Sequence, residues 1–356
     1  MEEFSPSLWP VRPKPLTDEL LSCWIMRLAH GLGLKAQTLC NVLWGASLQI
    51  WNRDIDRLGP EKVLTTLSAH TGVTFDDVLA TTLRIFEGKV FGRCKDSGAL
   101  PWIQSLKINH RMRDGFGMQF CGICLANDRI PYFRKRWRVS FYTVCTKHRV
   151  MLHDRCPACG SAVAFHRTDV GQGIGAMSDS LAACHVCGFN LANAPQISVT
   201  SYEAGASEWQ YSLCASLERD CTGTSLFLGV DELRVLHHII GLLWCRYRSV
   251  RLREYVCCQL AIPDLLKGHD REKIESASLA QRHFLVQLAG WLMIDLGPRL
   301  RKAWIGKTVR YNQLLKDLEQ IPEFYGCAVA EASVGRRRRT SEMPVMSVRD
   351  RSVASS

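Results

Sequence analysis

No stretch of this 356-residue chain approaches the roughly 18 uncharged residues that a membrane span needs. The best candidate, "FLVQLAGWLMIDLG", runs into Asp295 and reads as a buried helix. The start, "MEEFSP", is acidic and without an apolar run, so no secretory signal is expected. Acidic residues are in short supply, 34 Asp and Glu against 45 Lys and Arg, which leaves a formal charge of +11 and a pI near 9.0. That surplus either suits a polyanionic partner such as nucleic acid or is a solvated basic surface. No membrane partner is expected, and a metal-dependent phosphoryl-transfer enzyme would need a carboxylate triad on a strand-rich core; here Asp and Glu are scattered over helical segments.

With 47% hydrophobic and 22% charged residues, the chain has material for about two domains, or three small ones. In "WPVRPKPLTDELLSCWIMRLAHGLGL" a proline-spaced arm leads into a helix whose apolar face is Leu20, Leu21, Trp24, Ile25 and Leu28. Thr17 is the expected N-cap, Leu16 staples onto Leu21, and Gly31 and Gly33 end the helix. "KAQTLCNVLW" reads as a second helix closed by Gly45. Next, Pro60 opens a helix with Val63, Leu64 and Leu67 inward, Gly72 turns the chain, and another helix from about Thr74 presents Val78, Leu79 and Leu83. This is a helix-turn-helix layout, but Asp76 and Asp77 would be repelled by phosphates, so residues 15–88 read better as a helical scaffold or docking module.

Past residue 195 the chain returns to helix. Leu233, Leu236, Ile239, Ile240 and Leu243 recur at helical intervals, with Arg246, Arg248, Arg251 and Arg253 at the far end. Two further helices are expected in "SASLAQRHFLVQLAGWLMIDLG" and "TVRYNQLLKDLEQIPEFY". The sequence predicts a mainly α fold with small β elements, divided into an N-terminal helical region (1–114), a cysteine-rich region (115–195), a C-terminal helical domain (196–333) and a basic disordered tail (334–356) holding Arg336 to Arg339.

Sixteen cysteines without an expected export signal argue for metal over disulfides. Four two-ligand hooks follow in order: Cys121-x2-Cys124, Cys145-x2-His148, Cys156-x2-Cys159 and Cys184-x2-Cys187. An x2 spacing brings both side chains of a tight turn to one ion, and two hooks complete a closed tetrahedral zinc shell. Pairing neighbours gives a three-cysteine, one-histidine site (Cys121, Cys124, Cys145, His148) and an all-cysteine site (Cys156, Cys159, Cys184, Cys187), hence two structural zinc ions with no position left to activate water. A zinc deaminase is disfavoured as well, since no H-x-E partner accompanies the second module. The ligand order also matches a RING-like cross-brace, although seven residues separate His148 from Cys156, and His153 is an alternative to His148. A Gly/Ser-rich loop, "DVGQGIGAMSDS", lies inside the second module.

Between the first two hooks stand Arg129, Arg134, Lys135, Arg136 and Arg138, interleaved with Tyr132, Phe133, Trp137, Phe141 and Tyr142. Metal binding would stiffen this excursion, so its cations could meet phosphate with little ordering entropy left to lose, while the aromatics fill the small core. The other reading is that arginine stems and aromatic rings merely pack together.

"CGICLANDRIPYFRKRWRVSFYTVCTKHRVMLHDRCPACG" resembles the TniQ family of transposon-encoded proteins, which includes the TnsD-type target selectors. The family pattern runs C-P-x-C, an acidic residue, P-Y-F-R-x-x-W-R, C-x-x-H, L, C-P-x-C-G; Asp128, Tyr132, Phe133, Arg134, Trp137, Arg138, Leu152 and Gly160 fall in place. The opening arm and helix are similar too, and "IPEFYGCAV" is like a late element of longer members, with Phe324 for Trp. Gly122 stands where proline is usual, a change expected to loosen the first knuckle. The resemblance covers residues 10–190 and, more thinly, 280–330. It implies an N-terminal helix-turn-helix-like region, tandem zinc ribbons and further helices. It also implies a non-catalytic, cytoplasmic bacterial protein that chooses or licenses the target of DNA transposition. The implied partners are DNA or an RNA-guided CRISPR surveillance complex, the AAA+ ATPase regulator, the transposase, and a second copy of the chain.

Overall fold

The computed structural model describes residues 8–45, 49–109, 112–113, 115–168, 181–220, 227–244, 250–266, 273–316 and 318–333. The expected loop at 169–180, Arg246, Arg248 and the tail at 334–356 lie outside the described residues. Five helices form the N-terminal part: α1 (Leu21–Gly31), α2 (Ala36–Trp44), α3 (Ile55–Leu58), α4 (Glu61–Thr71) and α5 (Phe75–Leu79). Every residue of α1 from Leu21 to Ala29 is buried, which makes it the axle of this part.

That axle starts later than its sequence suggests. Asp18 takes a left-handed φ of 62°, and the Glu19 carboxylate accepts from the Leu16 N–H at 2.8 Å and pairs with Arg27 at 2.6 Å. The first N–H groups of a helix lack partners within it, and here distant groups supply them. Leu21 N–H donates to the Thr81 carbonyl at 2.9 Å, and Ser22 donates from both N–H (2.7 Å) and Oγ (2.8 Å) to Asp56. Tertiary capping thus replaces the expected Thr17 cap.

α2 ends at Gly45 and α4 at Gly72, both with positive φ, as the sequence predicts. Thr74 caps α5 by accepting from the Asp77 N–H at 3.1 Å, and Asp76 and Asp77 are exposed. α5 has five residues, about 7.5 Å of helix. The layout of helix, turn and helix is present, with a second helix too short to lie along a groove.

In the middle of the chain, β1 (Ile108–Asn109) pairs antiparallel with β2 (Met112–Arg113), α6 (Gly122–Asn127) follows the first cysteine, and β3 (Val144–Cys145) pairs antiparallel with β4 (Val150–Met151). The C-terminal helices are α7 (Ala204–Asp220), α8 (Val230–Leu243), α9 (Leu252–Leu260), α10 (Leu279–Ile294), α11 (Leu296–Ile305), α12 (Tyr311–Leu315) and α13 (Glu323–Ala332). α10 is opened by a capping box between Ser278 and Gln281 and lies against α7 and α8. Gly290 allows the close approach to α7, since a Cβ there would stand 2.5 Å from Trp209. α8 stops at Leu243 and α9 begins at Leu252, which places Arg253 on α9, while residues 245–249 lie outside the described residues. Among the described residues no helix is long and apolar enough to cross a membrane.

One apolar core runs from Leu20 to Ala332. It crosses the expected boundary at 114/115, where Leu20 N–H donates to Phe133 O (3.0 Å) and Lys135 N–H donates to Asp18 O (2.8 Å). It crosses the boundary at 195/196 as well. Leu279 N–H donates to Asp154 at 3.1 Å, and the buried Arg282 donates to the Gln119 side chain at 3.1 Å and the Ser140 carbonyl at 3.0 Å.

Candidate metal centres

The four hooks converge as neighbours. Cys121, Cys124, Cys145 and His148 form one cluster and Cys156, Cys159, Cys184 and Cys187 the other, each with its ligand atoms within 4.8 Å of one another. The hairpin β3–β4 carries Cys145 into the first cluster and returns from His148, where Arg149 turns the chain with φ 52°. Gly160 and Gly188 make the equivalent left-handed turn after Cys159 and Cys187, and their N–H groups close back on the Cys156 and Cys184 carbonyls at 2.9 Å each. The crossed pairing of a RING is therefore excluded. His153 stands apart, stacked on Phe120 and donating to the Pro195 carbonyl at 2.8 Å, which leaves His148 as the histidine of the cluster.

The spacing fits zinc. Bonds of about 2.3 Å to sulfur and 2.0–2.1 Å to nitrogen, placed tetrahedrally, set S···S edges of about 3.8 Å and S···N edges of about 3.6 Å. In the first cluster Cys124 and Cys145 sulfurs are 3.7 Å apart, and His148 Nδ1 lies 3.5, 3.4 and 3.5 Å from the sulfurs of Cys121, Cys124 and Cys145. In the second, Cys156–Cys187 and Cys159–Cys184 are each 3.7 Å. With no ion among them, hydrogen bonds from Cys121 and Cys124 hold the Cys145 thiol down, while hydrogen bonds with Cys121 and Cys145 push the Cys124 thiol far up.

The two centres differ in access. Cys121, Cys124 and Cys145 are buried with His148 half-buried, whereas Cys159 and Cys187 are exposed. Ser161, which the spacing of ligands gave no reason to single out, places its hydroxyl 3.1 Å from the Cys159 sulfur and 3.3 Å from that of Cys184. Chiefly through that hydroxyl the Cys159 thiol is lowered to about 6. Gly122 also has a positive role: a Cβ there would sit 3.1 Å from the Leu191 carbonyl and 3.2 Å from Ala194 Cβ, so the start of α6 presses directly on the end of the second module.

The basic excursion between the first hooks faces inward, which corrects the expectation of a phosphate-facing row. Arg134 pairs with Asp128 at 2.7 Å and lies over the rings of Tyr132 and Trp137, 4.1 and 4.6 Å from their centroids. Lys135 is buried and donates to the Ala80 carbonyl. Arg136 reaches Asp18 at 2.8 Å and Glu218 at 3.4 Å. Arg138 has no exposed surface and holds Asp54 at 2.6 Å, Asp56 at 3.5 Å and the Gln104 carbonyl at 3.0 Å. Of the five cations, Arg129 alone is exposed. The physical reason is charge balance: acids of the N-terminal helices and of α7 surround this segment, and a buried cation is held only where such partners neutralise it. Arg136 fastens this segment to the turn before α1 and to α7, Arg138 fastens it to α3, Lys135 ties it to the end of α5, and Arg134 stays with Asp128 at the end of α6.

Short helices on one core, joined to two clusters of four cysteine or histidine ligand atoms that could each hold a zinc ion, define the scaffold. Residues 10–152 match the model of the TniQ family, a span that takes in the N-terminal helices and the first centre and ends before Cys156. This chain thus carries a TniQ domain, which supports membership of the TniQ family and a transposition-associated role. No curated protein matches the chain.

Proposed function

We propose that this protein is a non-catalytic component of DNA transposition that selects or licenses the target site, engaging DNA or a complex already bound to it and docking the AAA+ regulator and, with it, the transposase. The observation that carries the reading is the TniQ match joined to metal shells filled entirely by protein ligands. In the all-protein shells formed by Cys121, Cys124, Cys145 and His148, and by Cys156, Cys159, Cys184 and Cys187, zinc supplies folding free energy and leaves no bound water to activate. The excess of 11 positive charges supports a polyanionic partner, while the inward arginines make their own segment a brace. The test is binding of the zinc-loaded full chain to duplex DNA and to the AAA+ regulator of its element, by anisotropy and pull-down at low salt. Association with at least one of them is expected; no affinity for DNA, regulator or transposase would end the proposal.

A further inference from the structure

A trough separates the N-terminal helices from α8 and the turn before α10, and none of the residues discussed so far accounts for it. Three adjoining hollows of about 900, 550 and 220 Å³ make it up. The first two share Ala99, Lys273 and Glu275; the second and third share Gln104, Lys107 and Ser276. Among the described residues eight cations line its length; Arg155 and Arg234 are paired with Asp154 and Asp231 at 2.8 and 2.7 Å, and the other six are Arg53, Arg57, Arg93, Lys95, Lys107 and Lys273. Their state is opposite to that of the basic excursion. None of the six has an acid at ion-pair distance among the described residues, and all but the half-buried Arg57 are exposed.

Arg57 is held by carbonyls, at 2.7 Å from Gly98 and 3.2 Å from Ser97 and also by that of Lys95. Carbonyls satisfy its donors without cancelling its charge, and they fix the loop that carries Lys95. Two of the four acids along the walls are already engaged, Glu275 by His237 at 2.7 Å and the Trp102 N–H at 2.9 Å, and Asp54 by Arg138 at 2.6 Å. Asp96 and Glu319 remain, so among the described residues uncancelled cations outnumber free acids six to two.

The lining says which polyanion fits. Among the described residues the two larger hollows contain no Phe, Tyr or Trp, and so no platform on which unpaired bases could stack. No exposed large hydrophobic side chain among the described residues lies in any of the three, so an acidic protein segment would find no apolar anchor there. Charge alone, spread along a channel, recognises phosphates and ignores sequence. We infer that this trough seats the phosphate backbone of duplex DNA and binds it by charge without reading bases. The inference rests on the transposition reading for its occupant, and it names the surface that the DNA contact uses.

The test compares two pairs of neutralising substitutions in the zinc-loaded full chain, with zinc content and thermal melting as checks on folding. One pair, Lys95→Gln with Lys273→Gln, lies in the trough. The other, Arg301→Gln with Lys302→Gln, removes the same charge from the exposed face of α11. Duplex affinity is read by anisotropy across a salt series. Losing two phosphate contacts should lower the slope of log affinity on log salt by about 1.8 and the affinity by about 60-fold at about 0.1 M salt. The trough pair should show this for unrelated sequences alike, the α11 pair should stay within about twofold, and Lys95→Arg with Lys273→Arg should retain binding. If the two pairs lose affinity equally, the trough assignment fails while DNA binding as such survives. If the trough pair keeps its DNA affinity but loses an acidic protein partner, the assignment fails in favour of a protein. If the unaltered chain binds no duplex at low salt but still binds the regulator, the trough and the DNA limb fall and the docking limb stands.

Discussion

Replacing Arg138 with methionine separates a bolt from a phosphate contact. The guanidinium is fully buried, with Nη2 2.6 Å and Nη1 3.2 Å from the two oxygens of Asp54, and Nη1 3.5 Å from Asp56. Methionine fills much of the same volume, so the main loss is electrostatic: two carboxylates remain without their cation. Removing one partner of a buried pair costs about 3–5 kcal/mol. Asp56 keeps its two hydrogen bonds from Ser22, and the Asp54 side chain is 18% exposed and regains some water, which places the cost near the lower figure. A loss of about 3 kcal/mol is therefore expected in urea unfolding followed by tryptophan fluorescence. The salt slope of DNA binding by the folded variant should not change. Arg138→Lys should not restore stability, because a single ammonium cannot span both carboxylate oxygens and the Gln104 carbonyl. Adding Asp54→Asn to Arg138→Met should recover part of the loss, since an emptied pair costs less than a broken one. Stability within about 0.5 kcal/mol of the parent, together with a salt slope lower by about 0.9, would refute the bolt and make Arg138 a phosphate ligand.

Three further outcomes follow from the same geometry. Chelator should release zinc in two phases, the faster from the second centre with its exposed Cys159 and Cys187; Cys159→Ala should abolish the fast phase, and a single phase would contradict the difference in burial. Gly122→Ala should destabilise by about 1–3 kcal/mol through overlap with Leu191 and Ala194, read as a lower unfolding midpoint; a neutral or stabilising result would mean that this contact yields. Burial holds the His283 imidazole below its usual 6.5, against the Thr143 hydroxyl at 3.0 Å and the Thr200 carbonyl at 2.8 Å. The unfolded chain then takes up that proton first, so the contribution is complete above about pH 6.5 and is lost as pH falls below it. Unfolding midpoints from pH 7.5 to 5.5 should fall less steeply for His283→Gln than for the parent, and equal slopes would remove the assignment.

The grouping of the eight side chains into two clusters was legible because a two-residue spacing is a local property: each hook is a turn, and its geometry does not wait on the rest of the chain. The ends of α2 and α4 were legible for the same reason, at Gly45 and Gly72. The direction of the arginines was not. Their partners lie far away in sequence, Asp54 84 residues from Arg138 and Asp18 118 residues from Arg136, and an alternation of cations and aromatics looks alike whether it faces solvent or acids. The start of α1 was misplaced on the same account, because its capping group, Asp56, comes 34 residues later. The trough, too, is assembled from loops and helix ends that no single window of sequence contains.

The central claim is that paired hooks make two closed metal centres on which the scaffold depends. Elemental analysis of the purified full chain tests it most directly: about two zinc ions per polypeptide are expected, and less than one would contradict it.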